Sequence, residues 1–198
     1  MYLVLDLETS GTEVGYHEII QIGAVLLDQD FNEVSTFFSN VCPIYENRFS
    51  KEAQKVHYLS FLDLKNSPAI YELIPEFEDW IIKSLKLKTK KDLKQLILAG
   101  QSVYFDIIFL QYAYKQNQIP YPFSHKILDL KILAFYYFTI LQNNNIEVPK
   151  SLSLDSIANF FNLKRSSNVH NALEDAILTA KCISIILNNS KQFKIIKE

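Results

Sequence analysis

Apolar residues over the first part of the chain fall in short runs separated by polar turns, the length and spacing of strands rather than helices. Residues 2–7 alternate as one strand, and EIIQIGAVLLD (18–28) and FNEVSTFFSNV (31–41) read as two more, divided by a short turn near Gln29 and Asp30. So short a connection favours antiparallel pairing, which predicts a three-stranded meander. The pattern then changes. SKEAQKVH (50–57) suggests a brief helix, and Ser67–Pro68 offers an N-cap serine with proline at the first helical position. Pro75 is expected to restart that helix before EFEDWII runs on amphipathically.

QLILAG (95–100) reads as a buried strand ending in a glycine turn, and residues 103–116 as a helix. Residues 126–141 begin as a strand and become a helix near Asp129. Ser151 or Ser153 opens a further helix through Phe160, and residues 171–188 make the last long one. An antiparallel trio followed by strand–helix alternation predicts a mixed α/β sheet with helices on both faces. The expected organisation is one domain over 1–188 and a basic tail over 189–198.

Composition narrows the picture modestly. The 198 residues are 48% hydrophobic and 21% charged, enough for one full core. Asp6 and Glu8 interrupt the amino-terminal apolar run, so no signal peptide is expected, and no stretch is long enough to span a bilayer. Cys42 and Cys182 form no metal-binding cluster, and a reducing cytoplasm is the simplest location. Net charge is −2, which excludes a broadly basic nucleic-acid coat protein. The exception is KSLKLKTKKDLK (83–94), with six lysines and one acid, read as a solvated face in preference to a phosphate-binding patch.

The chemistry begins with VLDLETSG (4–11). Asp6 and Glu8 stand two apart on a strand, so both point to one face, where like charges repel and resist desolvation. Asp106 lies in the apolar run SVYFDIIFL, and Asp175 in HNALEDAILTA. An aspartate near a helix start is usually a cap or a dipole partner. Four acids in three apolar settings point instead to a shared hard cation, Mg²⁺ or Mn²⁺, and two ions are the common arrangement for phosphodiester cleavage. His170 precedes Asp175 by five residues, a rotation of about 500° on a helix, so it belongs on the loop before that helix. His17, His57 and His125 read as ordinary structural or surface residues.

DLETSG, then GQSVYFDIIFL, then SLDSIANFFNL leading into HNALEDA, closely resemble the motifs of the DEDDh family of 3′–5′ exonucleases, over residues 2–188. The resemblance implies a ribonuclease H-like fold: a five-stranded mixed sheet, its first three strands antiparallel, flanked by helices. It implies that Asp6, Glu8, Asp106 and Asp175 bind two divalent ions and that His170 is the general base. HxxxxD separates this group from its tyrosine-bearing sisters. Thr9 matches a position that contacts the 3′-terminal nucleotide; Ser10 beside it and Phe105 beside Asp106 are further substrate-contact candidates, as are Tyr104 and Tyr58. Gly11 suits a tight turn away from the site. The implied reaction is two-metal hydrolysis of single-stranded DNA or RNA from a free 3′ end, releasing nucleoside 5′-monophosphates.

Gln101 and Ser102 depart from the histidine and asparagine of many relatives, which implies altered substrate fit with the chemistry retained. Three other readings are weighed. DLET resembles the DxDxT of haloacid-dehalogenase-type phosphatases, but its second acid is glutamate and no later glycine–aspartate pair follows a strand. A non-catalytic docking module of a polymerase or RNA-processing complex would need the site to have lost its activity. QLILA (95–99) resembles a sliding-clamp peptide, although burial as a strand accounts for it better. A stand-alone enzyme is favoured over a polymerase subunit, and pairing of two copies is left open, as is the choice among DNA, RNA and short oligonucleotides.

Overall fold

The computed structural model describes residues 1–166 and 169–192. Strands β1 (Tyr2–Thr9), β2 (Ile19–Leu27) and β3 (Glu33–Asn40) form the antiparallel meander. β4 (Ile97–Gly100) joins β1 in parallel and β5 (Ile127–Asp129) joins β4 in parallel, so the five-stranded order is β3-β2-β1-β4-β5. The helices are α1 (Lys51–His57), α2 (Phe61–Leu64), α3 (Ile70–Ser84), α4 (Tyr104–Gln116), α5 (Leu130–Asn143), α6 (Leu154–Phe160) and α7 (Ala172–Ser190).

Strand alternation divides the core in two. Leu3, Leu5 and Leu7 pack on one face with Leu73, Phe77 and Ile81 of α3 and Ile107 and Leu110 of α4. Val4 packs on the other, with Leu130 and Ala134 of α5, Ile157 of α6 and Ala176 and Ile183 of α7. Asp6 and Glu8 share the parity of Val4, so they continue the α5–α7 face towards the carboxyl end of β1. Burial of both faces makes β2 buried at every position, as a central strand requires.

Local chemistry sets most boundaries where the sequence puts them. The strand-to-helix switch falls at Asp129, whose Oδ1 accepts from the Lys131 N–H at 2.9 Å while Oδ2 accepts from the Val103 N–H at 2.9 Å. One side chain thereby caps α5 and holds the start of α4. Ser153 caps α6 and Asn171 caps α7. QLILA lies largely within β4, where Leu98 and Ala99 are fully buried between β1 and β5, so a clamp-binding role for it is excluded by burial.

Two expectations are corrected. The helix after Ser67–Pro68 begins at Ile70, with Ala69 as its N-cap. The Pro68 carbonyl accepts from the Cys42 N–H at 2.9 Å and Cys42 bridges to Ala69, which holds residues 67–69 extended. The Glu72 carboxylate accepts from the Ala69 N–H instead of a serine cap. Pro75 does not restart the helix, because it sits on the exposed face and water can solvate the Tyr71 carbonyl it leaves without a donor. The short helix α2 was not legible in the pattern.

The lysine run from 83 to 94 extends from the last turn of α3 into a 3-10 turn at Lys90–Gln95, and it is mostly exposed. Lys90 is an exception in function: its Nζ lies 2.5 Å from the buried Glu78 carboxylate. Of the tail expected over 189–198, residues 193–198 lie outside the described residues.

Gly23 has a specific structural task. It pairs with Asp6 across the β1–β2 ladder, and the backbone of Ala172 at the start of α7 passes directly over it. A Cβ there would lie 2.1 Å from the Ala172 carbonyl carbon and oxygen. Only glycine permits this approach, which brings the first turn of α7 down to the level of Asp6. Gly23→Ala is therefore expected to destabilise the fold by roughly 1–3 kcal/mol, the usual cost of overpacking, as read by urea denaturation.

Candidate active site

Three elements deliver the acids to one cleft of about 400 Å³, lined among others by Asp6, Glu8, Phe105, Asp106, Arg165, His170 and Asp175. β1 supplies Asp6 and Glu8 from one face of the strand. α4 supplies Asp106 from its first turn, and its Oδ1 accepts from the Leu7 N–H at 2.9 Å. That bond ties α4 to the strand between the two β1 acids. α7 supplies Asp175, set in place by the Gly23 contact and by the Gln21 side chain, whose Oε1 accepts from the Ala172 N–H.

His170 lies before the helix, as its offset predicts, with Asn171 intervening as N-cap. Its backbone N–H donates to the Val56 carbonyl of α1, and its Nδ1 lies 3.1 Å from Asp175 Oδ2. Glu8, His170 and Asp175 each present a ligand atom within 4.8 Å of the others. Asp6 and Asp106 line the same cleft outside that tight group.

Sequence reasoning missed Arg165. It stands outside any helix or strand, after α6, with no periodicity to mark it. Its Nε donates to Asp175 Oδ1 at 2.5 Å and its Nη2 to Asp175 Oδ2 at 2.9 Å, while Nη1 reaches Asp155 Oδ1 at 2.6 Å. Ser166 beside it donates from both its backbone N–H and its hydroxyl to Glu174, so Ser166 is pinned to α7.

The acids respond to these surroundings differently. Burial, then repulsion by Asp106, Asp175 and Glu8, raises the Asp6 pKa well above the usual carboxylate range. Burial raises Glu8 to about 7, with His170 and Arg165 opposing the rise. Burial raises Asp106 to about 8 in spite of its bond from Leu7. For Asp175, burial is outweighed by the hydrogen bonds from His170 and Arg165, and its pKa falls. The same bond to Asp175 raises His170 above the ordinary imidazole value.

Carboxylates held this close, with one guanidinium among them, form a donor set that suits a hard divalent cation; such an ion would relieve the repulsion on Asp6 and Glu8. The substrate-contact candidates are arranged unevenly. Phe105 lines the cleft. The Thr9 hydroxyl donates to the Gly11 carbonyl at 2.7 Å, and Ser10 is fully buried with its Oγ accepting from the Glu18 N–H. Tyr58 and Tyr104 are both exposed. The His17 ring fills the space above Gly11, where a side chain would collide with it. Gln101 donates to the Leu152 carbonyl at 2.8 Å, and Ser102 adopts the left-handed conformation at φ 55°, a geometry that asparagine tolerates better. Both therefore shape the cleft's rim.

A sequence profile of the exonuclease family of RNase T type matches residues 3–183. The chain is 27% identical over 196 residues to the PolC-type DNA polymerase III of Thermotoga petrophila, covering 99% of this chain and 12% of that protein. It is 28% identical over 186 residues to the 3′-5′ exonuclease DinG of Staphylococcus haemolyticus, covering 90% of this chain and 17% of that protein. The chain thus spans less than a fifth of either relative. Among solved structures, the nuclease domain of 3′hExo, a DEDDh family member bound to rAMP, superposes with a TM-score of 0.74 at 18% identity, covering 100% of this chain and 96% of that one. Escherichia coli exonuclease I in complex with a dT13 oligonucleotide superposes with a TM-score of 0.76 at 16% identity, covering 96% and 42%. Both share the fold.

Because Asp6, Glu8 and Asp106 bind protons more tightly folded than unfolded, the stability they contribute is complete below about pH 4 and is lost as pH rises. With Glu8 at about 7 and Asp106 at about 8, the loss extends to about pH 8. His170, also raised, acts in the same direction. Thermal melts in chelator should show the midpoint falling between pH 5 and 8. Asp6→Asn should raise the midpoint at pH 8 by roughly 2–4 °C for each kcal/mol of repulsion relieved. Asp175→Asn should lower it, because it weakens the pairing of Arg165.

Proposed function

The chain belongs to the exonuclease family whose profile it matches, and from that premise we propose that it hydrolyses single-stranded nucleic acid from the 3′ end, releasing nucleoside 5′-monophosphates. DNA is the favoured substrate, since the relatives include PolC-type DNA polymerases. The observation that carries this reading is the convergence of Asp6, Glu8, Asp106, Asp175 and His170 on one cleft.

Asp6, Glu8 and Asp175 would hold two divalent ions, Mg²⁺ or Mn²⁺, with Asp106 supporting the site from its bond to Leu7. Bound there, such ions supply Lewis acidity and acidify a coordinated water. The remaining work falls to the chain itself. The contact between His170 Nδ1 and Asp175 orients the imidazole, which leaves Nε2 as the atom that accepts the proton of the attacking water. The backbone bond to Val56 keeps this histidine over the acids. Phe105, at the cleft wall, offers a face on which the terminal base stacks. Thr9 and Ser10 support that nucleotide through the shape of their turn, since their hydroxyls are engaged within it. The exposed Tyr104 is a further surface for the strand.

The test is digestion of 5′-labelled single-stranded DNA, single-stranded RNA and a short RNA oligonucleotide, each with Mg²⁺, Mn²⁺ or chelator. A metal-dependent ladder shortening from the 3′ end is expected, fastest on DNA, and absent in Asp6→Asn. His170→Ala should slow the reaction on the order of 10²–10⁴-fold, the range usual for a general base. Full activity of His170→Ala at neutral pH would remove that residue from the mechanism. Release of inorganic phosphate from a simple monoester would instead favour a phosphatase.

A further inference from the structure

Arg165 is the only lysine or arginine among the described residues that lines the cleft. Its fork lies side-on to Asp175, engaging both carboxylate oxygens at 2.5 and 2.9 Å. Asp175 Oδ2 also meets His170 at 3.1 Å. The Asp175 side chain is 4% exposed and that of Arg165 10% exposed, so this is a nearly dry ion pair. A divalent cation held by the same oxygens would face the guanidinium at close range, with little water to screen the repulsion. Asp175 cannot serve both fully.

The third donor of the guanidinium resolves the conflict. Nη1 is already on Asp155 Oδ1, and the Asp155 side chain is 58% exposed at the first turn of α6. Arg165 can leave Asp175 without losing its counter-charge, moving towards solvent while one contact persists. The backbone need not follow, because Ser166 stays fastened to Glu174.

We propose that Arg165 is a resident counterion that exchanges with the metal: it pairs with Asp175 while the site lacks a divalent cation and withdraws onto Asp155 when one binds. This rests on the reading of the acids as a metal site. The exchange keeps Asp175 paired in either state, and its consequence is a metal affinity reduced by the competing guanidinium. Removing an internal competitor raises affinity by the coupling between the two occupants, typically 5–150-fold.

Mn²⁺ binding by titration calorimetry, on wild type, Arg165→Met and Arg165→Lys at fixed pH and ionic strength, tests this directly, together with thermal melts in chelator and in Mn²⁺. Arg165→Met should bind Mn²⁺ tighter, roughly 5–150-fold. It should melt lower than wild type in chelator and gain more from Mn²⁺. Arg165→Lys, which keeps the charge but loses the fork, should fall between them and supplies the comparison if Arg165→Met does not fold. Equal or weaker Mn²⁺ affinity in the variants would overturn the exchange and leave Arg165 as a structural brace. Absence of Mn²⁺ binding in wild type and variants alike would overturn the metal reading itself, and the exchange with it.

Discussion

A carboxylate at the buried end of a central strand must find a cation, a hydrogen-bond donor or a proton, and the acids of this cleft meet that demand in different ways. Asp106 takes the Leu7 N–H. Asp175 takes Arg165 and His170. Asp6 and Glu8, facing the others, have their pKa values raised, as does Asp106 in spite of its bond. Each solution recruits a different element, so the electrostatic demand of β1 determines what α4, α7 and the segment before α7 must bring to it.

The fold meets this demand through close backbone approach. β1 lies between β2 and β4, which places its carboxyl end where α4 begins and where α7 can descend. Asp129 fastens the start of α4 to β5 while capping α5, so one short polar side chain aligns two helices. Gly23 removes the atom that would hold α7 away from the sheet. The result is a donor cluster on strands and helices, joined by Arg165 and His170, which lie between α6 and α7.

That division of labour accounts for the contrast in charge state. Burial raises the pKa values of Asp6, Glu8 and Asp106. Asp175 instead has Arg165 and His170 as partners, and its pKa falls. The negative charge gathered in the cleft is thereby offset in part by the guanidinium of Arg165.

The sequence by itself determined the strands and nearly all the longer helices, the parity that sets Asp6 and Glu8 on one face, the switch at Asp129 and the loop position of His170. Each of these depends on local periodicity or on a capping side chain, and the interactions concerned span a few residues. The motifs also carried the family, because their order along the chain reflects elements that converge in space. Only the tertiary structure decided that Gly23 admits the backbone of α7, that Pro75 is tolerated on a solvated face, and that Arg165 occupies Asp175. Those outcomes depend on contacts between distant or aperiodic segments, where neither spacing nor residue type reveals which groups will meet. For Arg165 the cause is plain: a basic residue on an irregular segment has no face, and its partner is fixed only once α7 has packed against β2.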